Sequence, residues 1–251
     1  MKHTLKWSCK KRVIFNIKHI EILRKKGEKI MTKRFGFTLA EVLITLGIIG
    51  VVAAMTMPTL INQTNGAQYK AAYKKALSAI AQGVTLNVAL DDESFADVVA
   101  NSTGGSVDKV EGKTTVASLL NSRMNVVNVT TEANKGYTIT KPTGGLDLPT
   151  TNTALFFNDG SMFAFNSADG VCAEGTKICQ GYVDVNGQKG PNKSIACSTG
   201  TTTAGSTTDN KFTQATAACT VNTPTDVYPV VYYDQTIQPA TNAAAAVLYG
   251  K

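Results

Sequence analysis

Residues 33–61 read KRFGFTLAEVLITLGIIGVVAAMTMPTLI, and this stretch sets the plan of the chain. From Phe37 to Ile61 there is a single charge, Glu41, in 25 residues. A helix rises about 1.5 Å per residue, so an uninterrupted helix of this length crosses a hydrocarbon core of about 30 Å. Pro58 lacks the N–H that would bond the carbonyl of Ala54, which predicts a kink or a loosened turn there. Gly47, Gly50 and Ala54 fall at i, i+3 and i+7. Such a small-residue strip lets helices approach closely in lipid, and lipid-facing filler is the plainer alternative.

Working outward, the helix is expected to run on to about residue 90. From Tyr69 the apolar residues fall at Tyr69, Ala72, Tyr73, Ala76, Leu77, Ile80 and Val84, one face of a 3.6-residue repeat. Lys70, Lys74, Lys75 and Gln82 fall mainly on the other side. The organisation expected is therefore a basic leader (1–36), a membrane half of the helix (37–61), an amphipathic half (62–90) and an outer domain (91–251).

In the outer domain, residues 101–113 and 198–208 read as loops and Thr115–Val127 as a short helix with Val116, Leu119, Leu120 and Met124 inward. Strands are predicted at Gly136–Thr140, Ala154–Asn158, Ser161–Phe165, Gly181–Val185 and Val227–Tyr233. The run LFFN-DG-SMFAF predicts a hairpin closed by Asp159-Gly160. A long helix packed on an antiparallel sheet is an α+β arrangement.

Charge and histidine are confined to the front of the chain. Residues 1–36 hold 12 Lys or Arg and two acids, Glu21 and Glu28; residues 37–251 hold 13 basic and 16 acidic residues. Removal of the first piece leaves a mildly acidic protein, which argues against a broad nucleic-acid surface. His3 and His19 are the two histidines. Past residue 36 there is none for Ser/His/Asp catalysis or a His-ligated metal, so the composition points away from an enzyme.

Cys172, Cys179, Cys197 and Cys219 lie in a Thr/Gly/Ser-rich region, with spacings too loose for paired zinc ligands. They are read as disulfides formed in an oxidising compartment. Three pairings are open; Cys172–Cys179 with Cys197–Cys219 is the local-first expectation.

The segment Lys33-Arg34-Phe35-Gly36-Phe37-Thr38-Leu39-Ala40-Glu41 resembles the processing site of type IV prepilins and of the pseudopilins of type II secretion systems. The resemblance covers about 30 residues and implies a pilin-like fold with a disulfide-stapled C-terminal region. It implies cleavage between Gly36 and Phe37 by a membrane-embedded prepilin peptidase, followed by N-methylation of Phe37. It also implies pairing of Glu41 with the amine of a neighbouring subunit in a filament. The partners implied are the peptidase, other pilin or pseudopilin subunits and the bacterial inner membrane. Met31 is the expected translation start, with an unusually long leader as the alternative for residues 1–30.

Physical chemistry supports these roles. Glycine before a scissile bond lets backbone approach a protease closely. A carboxylate in a membrane helix is costly and calls for a partner; a tolerated carboxylate beside Lys33 and Arg34 is the alternative. Those two cations place the N-terminus in the cytoplasm and the rest outside.

No cofactor is expected except a weak calcium candidate. Asp184-Val-Asn186-Gly187-Gln188-Lys189-Gly190-Pro191-Asn192 fails the EF-hand template, since Ile195 stands where the bidentate Glu belongs. It resembles a polar turn common in pilin-like chains, yet oxygens of Asp184, Asn186 and Asn192 could converge on calcium. Two rival readings remain. One is a secreted binding module cut by signal peptidase after Ala54. The other is a minor pilin whose outer domain binds DNA or a surface.

Overall fold

The apolar run and the amphipathic run join into one helix, α1 (Leu39–Asp91), in a computed structural model that describes residues 36–100, 108–130 and 152–250. The chain divides into two compact units, Met1–Val52 and Ala53–Lys251. In the first, every described residue is exposed. Leu39, Leu43, Ile44, Ile48 and Ile49 each show 60–80% of their surface. Thr45 turns its hydroxyl onto the carbonyl of Glu41, 2.9 Å away, so this polar side chain asks nothing of its surroundings.

In the second unit α1 changes character at Gly66. Its buried positions are Gly66, Tyr73, Ala76, Leu77, Ile80, Gly83, Val84 and Asn87, spaced by three or four over most of the run. Gly66 is needed for the approach: a Cβ there would stand 3.0 Å from Pro224 Cδ. The helix is continuous through Pro58. The expected kink is not seen as a break, because a proline removes one bond of the ladder and its neighbours still hold.

The helix packs on an antiparallel sheet. Among the described residues the main sheet has six strands: β1 (Val126–Thr130), β2 (Asn152–Phe157), β3 (Met162–Asn166), β4 (Cys179–Asp184), β9 (Val227–Tyr233) and β10 (Thr236–Pro239), hydrogen-bonded in that order. Tyr73 of α1 stacks on Tyr228 of β9 with ring centroids 3.9 Å apart and planes 7° from parallel. Ile80, Val84, Leu119, Leu155, Phe163 and Val230 are fully buried in the same core. Burying each such side chain contributes roughly 1.5–3 kcal/mol.

The hairpin between β2 and β3 forms as expected but with a three-residue loop. Phe157 N–H donates to Ser161 at 2.9 Å, Gly160 N–H donates to Phe157 at 3.0 Å, and Gly160 takes φ +86°. Glycine is the residue that adopts this conformation without strain. Asp159 ties the loop to α1 through an ion pair with Lys75 at 3.0 Å.

Other boundaries moved. The helix expected over Thr115–Val127 is α2 (Val116–Arg123), and β1 starts at Val126. Thr115 caps α2 by a reciprocal pair of bonds with Ser118. Residues 198–208 are not all loop: β5 (Thr199–Gly200) pairs with β8 (Cys219–Thr220), and β6 (Ser206–Thr208) with β7 (Lys211–Thr213). A C-terminal helix, α3 (Asn242–Tyr249), was not foreseen. The strand expected at Gly136–Thr140 lies outside the described residues. Both disulfides have the local-first pairing, Cys172–Cys179 and Cys197–Cys219.

A buried polar residue pins α1 to α2. Asn87 donates through Nδ2 to the carbonyls of Gly83 (3.1 Å) and Leu119 (2.8 Å), and its Oδ1 accepts from the Ser122 hydroxyl at 2.7 Å. Truncation removes all three bonds, at about 0.5–1.5 kcal/mol each, while the Ser122 hydroxyl keeps the Leu119 carbonyl at 2.7 Å. Asn87→Ala is therefore expected to lower the stability of the outer domain by about 2 kcal/mol. Denaturant titration of the mature protein in detergent measures this; an unchanged midpoint contradicts it.

Candidate assembly site

The start of α1 holds the residues singled out by the motif. Phe37 is 87% exposed. Thr38 precedes the first helical residue, and Glu41 stands three residues further on. The Thr38 N–H and the Thr38 hydroxyl both donate to Oε2 of Glu41, each at 2.8 Å, and Glu41 N–H returns to Thr38 Oγ1 at 3.3 Å. This is a capping box, which satisfies donors that the first helical turn leaves without partners. The carboxylate also sits at the positive end of the helix dipole. The box went unread in the sequence, although Thr-x-x-Glu before an apolar run is its signature.

Nothing in the fold requires the glycines of this segment. A Cβ added at Gly36, Gly47 or Gly50 meets no atom within 4 Å. Ala54 and Pro58 are exposed as well. Among the described residues nothing packs against the strip of small residues, which is open along the helix. Cys172, Cys179, Cys197 and Cys219 are all used in disulfides and have no part in this site.

Residues 31–57 match the family described as the prokaryotic N-terminal methylation motif. This supports a type IV pilin-like or pseudopilin protein. The match takes in Gly36, Phe37 and Glu41 and ends one residue before Pro58. Neither a curated protein nor a solved structure matches the chain. The pilin-like reading accounts for the exposed apolar helix, one long and apolar enough to cross a membrane, and implies prepilin peptidase and other pilins as partners.

The residues named for calcium hydrogen-bond to two different carboxylates. Asp184 pairs in register with Met162 and Val227, which belong to a cluster on the sheet face away from α1. Its Oδ1 accepts the Asn186 N–H at 3.1 Å. Asn192 N–H instead donates to Oδ2 of Asp226 at 2.7 Å. Asp226 precedes Val227 by one residue and so lies on the face toward α1, with Tyr228. Asp226 was missed because it stands 34 residues from Asn192, beyond any local motif. Among the described residues no three His, Cys, Asp or Glu side chains group as a metal site.

Proposed function

We propose that this chain is a structural subunit of a type IV pilus or of a type II secretion pseudopilus. It is cut after Gly36, N-methylated on Phe37 and polymerised through its N-terminal helix. It acts without catalysis of its own. The observation that carries this reading is the juxtaposition of Gly36-Phe37, a capped Glu41 and an apolar helix that the described residues leave uncovered. The basic residues before Phe37 favour a cytoplasmic N-terminus and an outer domain beyond the inner membrane. Two disulfides in that domain suit an oxidising space.

Cleavage on the cytoplasmic side of the apolar run leaves the anchor on the mature protein. It also creates a positive amine four residues from Glu41. In low dielectric that amine and the carboxylate of a neighbouring subunit attract strongly enough to set the axial register of a polymer.

N-terminal sequencing and mass analysis of the mature protein test the reading. The expected N-terminus is Phe37 carrying one methyl group. A chain that begins at Met55 would instead be a conventionally secreted module and would overturn the proposal.

A further inference from the structure

No charged residue lies between Glu41 and Lys70, so Lys70 is the first cation past the apolar run of α1. The end of that run, residues 53–61, belongs to the same compact unit as the outer domain. Two elements of the domain close on α1 just beyond it. Pro224 packs on Gly66. The Lys70 ammonium donates at 3.2 Å to the carbonyl of Gly250, the residue that ends α3.

This geometry sets one end of the domain at the level of a bilayer surface. Gly66 lies five residues past Ile61, a rise of about 7.5 Å. The polar layer outside the hydrocarbon core is about 5–7 Å thick on each side. Lys70 stands one turn higher, but Cα–Cβ bonds in a helix tilt toward the N-terminus, so its long stem reaches back toward the interface. The elements beside it are uncharged: residues 212–225 and 235–250 contain no Asp, Glu, Lys or Arg, so nothing on them repels an anion. Against Lys70 a cavity of about 320 Å³ opens between Val221, Pro224, Ala246 and Val247, and none of its lining residues is acidic. Among the described residues Lys70 forms no ion pair. An ammonium has three donors and Gly250 takes one, so two remain. Tyr249, one residue before Gly250, is 68% exposed. Its ring is of the amphipathic kind enriched where membrane meets water.

We propose that this end of the outer domain binds the anionic phospholipid surface of the membrane that α1 crosses. Lys70 takes a headgroup phosphate, the uncharged cavity beside it receives the headgroup, and Tyr249 stands among the lipid headgroups. The contact holds the domain against the bilayer while the subunit is membrane-bound. It rests on the membrane-spanning part of the function proposed above and not on the filament.

The test uses the mature protein reconstituted in vesicles of phosphatidylcholine and phosphatidylglycerol, with one lipid or the other brominated as a short-range quencher. Trp7, in the leader, is the single tryptophan, so a tryptophan introduced into the mature chain reports its own surroundings. Leu60→Trp marks the span and Tyr249→Trp the end of the domain; the two positions are 64% and 68% exposed, so neither change disturbs packing. The expected result is that both lipids quench Leu60→Trp alike, while brominated phosphatidylglycerol quenches Tyr249→Trp more strongly than brominated phosphatidylcholine. Lys70→Gln keeps a donor for the Gly250 carbonyl and loses the charge. Added to Tyr249→Trp, it should lower the preference for phosphatidylglycerol about fivefold, the contribution of one lysine at an anionic surface. With Leu60→Trp quenched, a Tyr249→Trp signal that neither lipid quenches, or a preference that Lys70→Gln leaves unchanged, overturns this proposal alone. An unquenched Leu60→Trp overturns the membrane reading and this proposal with it.

Discussion

Glu41→Ala is expected to be cut and inserted normally while its yield of sheared filaments falls by about 10-fold or more, since each 1.4 kcal/mol lost per contact is tenfold in the association constant. On the proposed filament reading, the pair it removes is a carboxylate and the Phe37 amine of a neighbour. At 4 Å such a pair is worth about 4 kcal/mol at an effective dielectric of about 20, and each subunit added to a polymer makes it again. The capping box offers a control, because Glu41 also serves its own helix through Thr38. Glu41→Gln keeps an acceptor for those two bonds and loses the charge. If charge sets the register, Gln behaves like Ala in the filament fraction; if the cap were all that mattered, Gln would assemble like the wild type. Comparing sheared and membrane fractions by immunoblot separates the two, and normal filaments from Glu41→Ala would sink the pairing role.

The second large effect is expected one step earlier. Gly36→Leu should abolish processing, so that the precursor persists at full length on a gel and begins with its leader on sequencing. The fold offers no other reason for failure. A side chain at Gly36 meets no atom within 4 Å, and the residue lies outside α1. The damage falls on the approach of backbone to a peptidase, which a branched side chain blocks and a methyl group hinders less. Gly36→Ala should therefore be cut slowly rather than not at all. A mature band of normal intensity from Gly36→Leu would contradict the cleavage assignment.

What could be read from the sequence followed the reach of each signal. Tyr73, Ala76, Leu77, Ile80 and Val84 announced a buried helical face because periodicity is local, and all five are buried. Val227–Tyr233 was bounded correctly since it is a dense apolar run with β-branched and aromatic residues. The flaps β5–β8 and β6–β7 went unread: they are two or three residues long, mainly Thr and mostly exposed, so no burial pattern marks them. α3 is an alanine-rich run of eight residues, too short for a period to declare itself. Asn87 looked like one more polar position on α1, and its partners on α2 are 32 and 35 residues away. Asp226 escaped for the same reason. The candidate assembly residues Gly36, Phe37 and Glu41 could be named from the sequence because they stand close together in it, whereas the Asn192–Asp226 contact depends on the folded sheet.

At the head of α1, both donors of Thr38 land on the same oxygen of Glu41, Oε2. The side chain can therefore meet an incoming amine with its other oxygen and leave its own helix undisturbed. On the filament reading proposed above, docking would then leave this cap in place.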